Sequence, residues 1–136
     1  MTTAAATPLR VRRSAIALLA AVTAVTGLLV HTMSSCPAGD IAGDALYAAL
    51  LYLLVALIAP RWHPIQPALV SAGICTAVEL LQLTHIPRDL SAAFPPAALV
   101  LGSGFDPRDL VVYVLAAAAA SGLDVAVTGA LRRRGR

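Results

Sequence analysis

Four long apolar stretches, separated by short segments that hold almost all the charge, fix what this chain can become. Hydrocarbon offers no water to a bare N–H or C=O, so each crossing must satisfy its own backbone, and stretches of this length do so as helices. The sequence therefore predicts an all-α fold: a polytopic transmembrane helical bundle of four spans plus a short re-entrant or interfacial segment. The spans are expected at about 14–33, 41–59, 67–86 and 107–129. Each reaches about 30 Å at about 1.5 Å per residue, enough for the hydrocarbon core. Residues 14–130 then form a single transmembrane domain between a cytoplasmic N-terminal tail, 1–13, and a basic cytoplasmic tail, 131–136.

Local signals support these boundaries. Asp40 is a natural N-cap for the second span, and Pro60 stops it. Pro67 opens the third, and Pro87 follows its end. The fourth begins with Asp106-Pro107-Arg108-Asp109: an N-cap acid, proline at the first helical position and an acid three residues after the cap. Between the third and fourth spans, Leu90 to Gly104 is apolar but too short to cross. Pro95-Pro96 introduces a half-helix from Ala97 to Leu101, which Gly102 and Gly104 end. Pro-Arg-Asp-Leu occurs at 87–90 and again at 107–110, too short a repeat to mark duplication.

The arginines give an orientation. The chain has ten and no lysine, a bias that, with abundant Ala, Gly and Pro, fits a GC-rich bacterial genome. With four spans, Arg10, Arg12, Arg13, Arg61, Arg132, Arg133, Arg134 and Arg136 share the side of both termini, against Arg88 and Arg108 opposite. The positive-inside rule then makes both termini cytoplasmic in a bacterial plasma (inner) membrane. The same placement explains the net charge of +3 without nucleic acid. Cys36 and Cys75 fit neither a zinc pattern nor a disulfide framework. The basic start, apolar run and Met33-Ser34-Ser35-Cys36 loosely resemble a lipoprotein signal. That run, about 18 to 20 residues, is longer than a signal h-region, so the reading retains it as a membrane helix. Its Ala17, Ala20, Ala21, Ala24 and Gly27 recur at spacings of three and four, which lets helix backbones approach closely.

Ionisable groups inside spans are the best pointers to function, because each costs about 2.5–3.5 kcal/mol near a helix centre on insertion scales. Ser71, Cys75, Glu79, Gln82 and His85 are spaced by four, four, three and three and form one polar stripe, expected to face the bundle. Asp109, Tyr113, Ala117, Ala120 and Asp124 form a matching stripe on the fourth span, and Asp44 and Tyr47 lie near the outer end of the second. Asp44, Tyr47, Glu79, Gln82, Arg88, Asp109 and Tyr113 thus share the outer half of the membrane, with Arg108 beside them, as a candidate functional cluster. A structural reading stands next to it. Asp40, Asp44, Asp106 and Asp109 stabilise helix N-termini in any protein, and interfacial tyrosines are routine. Glu79 could pair with Arg88 or Arg108 to lock the bundle. Asp124 lies about 12 Å from the Arg132–Arg134 cluster and could pair with it or line a cytoplasmic opening. His31, His63 and His85 are too dispersed for a metal site.

At these residues the chain resembles a family of small bacterial membrane proteins known only as domain-of-unknown-function family 2809. The resemblance rests on Gly43-Asp44-Ala45-Leu46-Tyr47-Ala48, Glu79-Leu80-Leu81-Gln82-Leu83, Arg88, Leu101-Gly102-Ser103-Gly104-Phe105, Asp109-Leu110 and Tyr113, across about residues 15 to 125. The Glu-x-x-Gln, Arg and Asp series is more distantly similar to VanZ-like membrane proteins, linked to glycopeptide resistance at the cell envelope. Tyr113 stands where their asparagine is expected, and Ala117 where a glycine is expected. The resemblance implies a multi-span bacterial protein of unassigned activity and transfers no catalytic residue.

No nucleophile elbow, phosphate loop, metal-protease helix or dinucleotide fingerprint is present, so the reading leans away from an enzyme and expects no cofactor or metal. The leading expectation is an outward-facing polar cluster that binds a lipid headgroup or envelope component, with the bilayer as principal partner. A small oligomeric transporter or proton-coupled channel using Glu79 is the second expectation. The third is a structural or assembly subunit that docks a membrane partner through the first span. The topology beneath all three is testable in intact cells. A membrane-impermeant thiol reagent is expected to label Cys36 from outside and to miss mid-helix Cys75. Cysteines introduced beside Arg61 or Arg134 are expected to react only after the membrane is opened. Labelling of the Arg134 site in sealed cells would reverse the orientation.

Overall fold

The computed structural model describes residues 6–102 and 104–134. The expected tail positions 1–5, Ser103 in the glycine motif and 135–136, as well as the side chains of Arg132 and Arg134, lie outside the described residues. Among those described, regular structure is wholly helical: α1 (Ala6–Met33), α2 (Pro37–Ile58), α3 (Ile65–Leu81), α4 (Ile86–Ala93), a 3-10 turn at Pro95–Ala97, α5 (Ala98–Leu101) and α6 (Pro107–Arg134). Three segments are long and apolar enough to cross a membrane: Leu9–Met33, Pro37–Ile58 and Pro107–Leu131. The pair α3 and α4 passes the same test only when taken together, and it is bent by 89°. The protein is thus a membrane helical bundle with three spans, or four if the bent pair counts as one.

That bend departs from the expected third span, 67–86. α3 stops at Leu81, and a single helix through Pro87 is barred, since Pro87 lacks an N–H and its ring would strike the carbonyl of Leu83. The chain closes α3 locally instead. The Leu81 carbonyl accepts both the Thr84 N–H, at 2.9 Å, and the Thr84 hydroxyl, at 2.7 Å. Pro87 then takes a first-turn position in α4, where a missing N–H does no harm. Two other boundaries also shift. α1 begins at Ala6 and not near Ser14, so Arg10, Arg12 and Arg13 are helical. α2 begins at Pro37 with Cys36 at the cap, which moves Asp40 from the cap to the first turn.

The α1–α2 turn is short enough that Gly39 lies against the Ser34 side chain, leaving no room there for a Cβ. Beside it the Cys36 thiol is exposed, and contacts with the Ser34 hydroxyl and the Gly39 N–H hold it below its usual pKa. At the other end of the bundle, Ala59–Pro64 carries Arg61 and Trp62, an exposed aromatic of the kind that marks a membrane boundary.

α2 is the central helix, packing against α1, α3 and α6, while α3 also packs on α6. The core forms two layers. Ile16, Tyr52, Ala56, Ala68 and Ala117 meet towards the end with the termini. Ala48, Cys75 and Tyr113 meet towards the opposite end. Small side chains dominate both layers, which allows the close helix approach usual where no hydrophobic effect drives association. The buried Ser71 hydroxyl donates to the Ala48 carbonyl at 3.0 Å, tying α3 to α2. Of the small-residue face on α1, Ala20 is buried and Gly27 faces Leu46 of α2, while Leu18, Val22, Val25 and Leu29 remain exposed. An exposed Leu–Val face of this extent is what a lipid-facing helix carries.

The two terminal helices are joined by one polar knot. Arg12 of α1 bridges to Asp124 of α6 at 2.9 Å, and the Tyr52 hydroxyl of α2 donates to the same carboxylate oxygen at 2.9 Å. Thr128 donates to the other oxygen at 3.2 Å. Asp124 therefore pairs with Arg12, a partner that the early start of α1 brings within reach. Asp124→Ala should leave the buried Tyr52 hydroxyl and the half-buried Arg12 without an acceptor. The expected loss is about 1.5–3 kcal/mol, read as a lower melting temperature in detergent, with Asp124→Glu recovering part of it.

Candidate functional site

The polar stripe on α3 faces the bundle as its spacing predicts. Ser71, Cys75 and Glu79 are fully buried and Gln82 is half-buried. His85, beyond the end of α3, is exposed. On α6, Tyr113 and Ala117 are buried, and Asp109, Ala120 and Asp124 are half-buried.

Glu79 makes contacts that differ from both expected pairings. Its Oε1 accepts the backbone N–H of Asp106 at 2.5 Å, and its Oε2 lies 3.5 Å from the Tyr113 hydroxyl, which donates. Neither Arg88 nor Arg108 bridges to it; Arg108 instead bridges to Asp106 at 3.4 Å and to Asp109 at 3.3 Å. Asp106 is the N-cap of α6 in full sense, since its Oδ1 accepts the Arg108 N–H at 2.9 Å. In a capping box the acid three residues on would take the N-cap N–H. Here Glu79, from another helix, takes it, and Asp109 is left free to turn elsewhere.

Two more members of the expected cluster hold the short α5. The Tyr47 hydroxyl donates to the Val100 carbonyl at 3.0 Å, and the Gln82 amide donates to the Leu101 carbonyl at 2.6 Å. Both carbonyls belong to the last turn of a four-residue helix that cannot satisfy them itself. Gly102 follows with φ +67°, and any Cβ there would strike the Gln82 amide nitrogen. The expected glycine stop thus has two causes, a left-handed backbone and a close approach. The Tyr47 and Tyr113 rings pack at 6.4 Å between centroids, tilted by 60°, so the two polar groups share one aromatic wall.

A cavity of about 690 Å³ opens beside these residues, between α1, α2, α5 and the start of α6. Asp40, Asp44, Asp106, Arg108 and Asp109 reach it, as does His31 from α1. Leu28, Leu46 and Leu50 supply apolar wall. Asp44 of α2 and Asp109 of α6 both line it, and Arg108 bridges to Asp109 at 3.3 Å.

Of the seven candidate residues, Asp44, Tyr47, Gln82, Asp109 and Tyr113 line this cavity. Glu79 does not line it but holds its α6 wall in place. Arg88 stands apart, exposed on α4. The sequence marks His31 only as a dispersed histidine and Asp40 and Asp106 only as helix caps; their shared end of the bundle is the available signal.

The chain matches the family described as "Protein of unknown function (DUF2809)" over residues 37–117, and it belongs to that family. No solved structure matches it. The match spans α2 to the first third of α6, and so includes Asp44, Glu79, Gln82, Asp106 and Asp109.

The geometry separates two roles of Glu79. Glu79→Gln keeps an acceptor for the Asp106 N–H and should fold with little loss. Glu79→Leu removes it and should destabilise the protein by about 1–3 kcal/mol, measured by thermal melting in detergent. Equal stability of the two variants would show that the α6 cap does not depend on this contact.

Proposed function

We propose that this protein binds an amphiphile of the bacterial envelope, a lipid headgroup, in the cavity between α1, α2, α5 and α6. The observation that carries the reading is that Asp44 of α2 and Asp109 of α6 line one cavity of about 690 Å³ that also has leucine walls. A purely structural acid at a helix N-terminus has no need of a second acid opposite it, since like charges held close repel. A cationic group between them would relieve that repulsion. Four carboxylates reach the cavity against one arginine, which favours a headgroup carrying an ammonium.

In this reading the membrane is the bacterial plasma membrane, both termini are cytoplasmic and the cavity opens to the outer side. The eight-to-two arginine distribution supports that orientation. Transport through Glu79 would require a self-associated or partnered form, and the placement of Glu79 on the Asp106 N–H, away from the cavity, gives that reading less support.

Native mass spectrometry of the detergent-purified protein tests the proposal, with phosphatidylethanolamine and phosphatidylglycerol as competing probes. Preferential retention of the ethanolamine lipid is expected, with a loss of about tenfold in affinity, about 1.4 kcal/mol, on replacing Asp44 and Asp109 together by asparagine. Equal retention of both lipids, or no change in the double variant, would reject it.

A further inference from the structure

α4 is set apart from the rest of the bundle by direction and by pattern. It is bent by 89° from α3, so it runs nearly at right angles to a helix that packs among the spans. Its depth follows from chain length. α3 has 17 residues, about 25 Å of rise, and starts next to Trp62 and Arg61 at the opposite boundary. The Gln82–His85 turn adds the remaining few ångströms, which brings α4 to the far edge of a hydrocarbon core about 30 Å thick.

Its faces divide accordingly. At about 100° per residue, Ile86 and Leu90 lie within about 40° of each other, and Arg88 projects about 160–200° away from both. Ile86 is 55% exposed and Leu90 46%, and Phe94, the residue that ends the helix, is 58% exposed. Pro87, on a third direction, is buried. A short helix with exposed apolar residues on one face and exposed Arg88 on the other has no protein partner in the bundle for its apolar face. Leu83 of the preceding turn is exposed as well, so exposed apolar surface runs from the end of α3 to α4.

We propose that α4 is an interfacial anchor, lying in the headgroup layer parallel to the membrane plane with Ile86, Leu90 and Phe94 against the upper acyl chains and Arg88 towards water. Burial of such a face at the headgroup–acyl boundary is what short amphipathic helices achieve. Through the 3-10 turn and α5, on which it packs, α4 also fixes the depth of the cavity wall. The inference does not depend on what the cavity holds.

The test uses the full-length protein in vesicles, with Trp62→Phe removing the native tryptophan and single reporters Leu90→Trp, Phe94→Trp or Arg88→Trp. Phosphatidylcholine brominated near the carbonyl end or near the methyl end of its chains is the quencher. At Leu90 and Phe94, shallow bromines are expected to quench at least about twofold more than deep ones, as for a helix at the boundary. At Arg88, aqueous iodide is expected to quench more than either lipid. Stronger quenching by deep bromines at Leu90 or Phe94 would make the segment re-entrant and overturn the proposal. Iodide quenching of all three reporters alike would place it in water and overturn it as well. Phe94→Trp swaps one aromatic for another at an exposed site, so it reports even if the other variants fold poorly.

Discussion

The contact between the Glu79 carboxylate and the Asp106 N–H is the constraint from which the polar half of this bundle is built. A helix that starts at the edge of a membrane has N–H groups that lack partners, and few waters reach them if the start is packed against protein. α6 meets this need from two sources. Its own Asp106 carboxylate takes the Arg108 N–H, and Glu79 reaches across from α3 to take the N–H of Asp106 itself. The division has a consequence for the site. With the cap completed by another helix, Asp109 is not needed to complete it; it bridges to Arg108 and lines the cavity together with Asp44.

The same requirement explains α5. Four residues cannot close their own carbonyls, and in low dielectric each open carbonyl costs far more than in water. Tyr47 and Gln82 cover the last two, from two different spans. Moving α5 would expose both carbonyls and leave two donors on α2 and α3 unpaired at once. The segment is thus fixed by polar contacts, although its own side chains, Leu99 and Val100 among them, are exposed and apolar.

The faces of the spans were legible in the sequence, and the contacts made across them were not. A stripe such as Ser71, Cys75 and Glu79 is a property of one helix, so its spacing alone predicts that it turns inward. A pairing such as Arg12 with Asp124 joins positions 112 apart and depends on how far α1 extends before its first apolar turn. The sequence expectation starts the first span at about Ser14, because the arginines before it look like a tail. As helical residues, they instead put a guanidinium level with Asp124 and Tyr52. The end of α3 is hidden in the sequence for a related reason. The apolar run continues through Leu83 and Ile86, yet the chain turns at 82–85 and Pro87 bars one helix from running across that turn. Glycine at position 102 was readable as a stop, but its second cause, the approach of Gln82, belongs to a residue twenty positions earlier.

The two polar knots tie the bundle in different ways. Glu79 and Asp106 both fall within the stretch that matches the family, residues 37–117, and they join α3 to the start of α6. Arg12 and Asp124 both fall outside it, and they join α1 to the later part of α6. α1 otherwise packs chiefly on α2. Near the termini it is drawn against α6 by the ion pair, whereas at the other end the cavity stands between them, lined by Gly27, Leu28 and His31 on one side and Arg108 and Asp109 on the other. α1 is thus tied to α6 at one end of the bundle and separated from it by the cavity at the other.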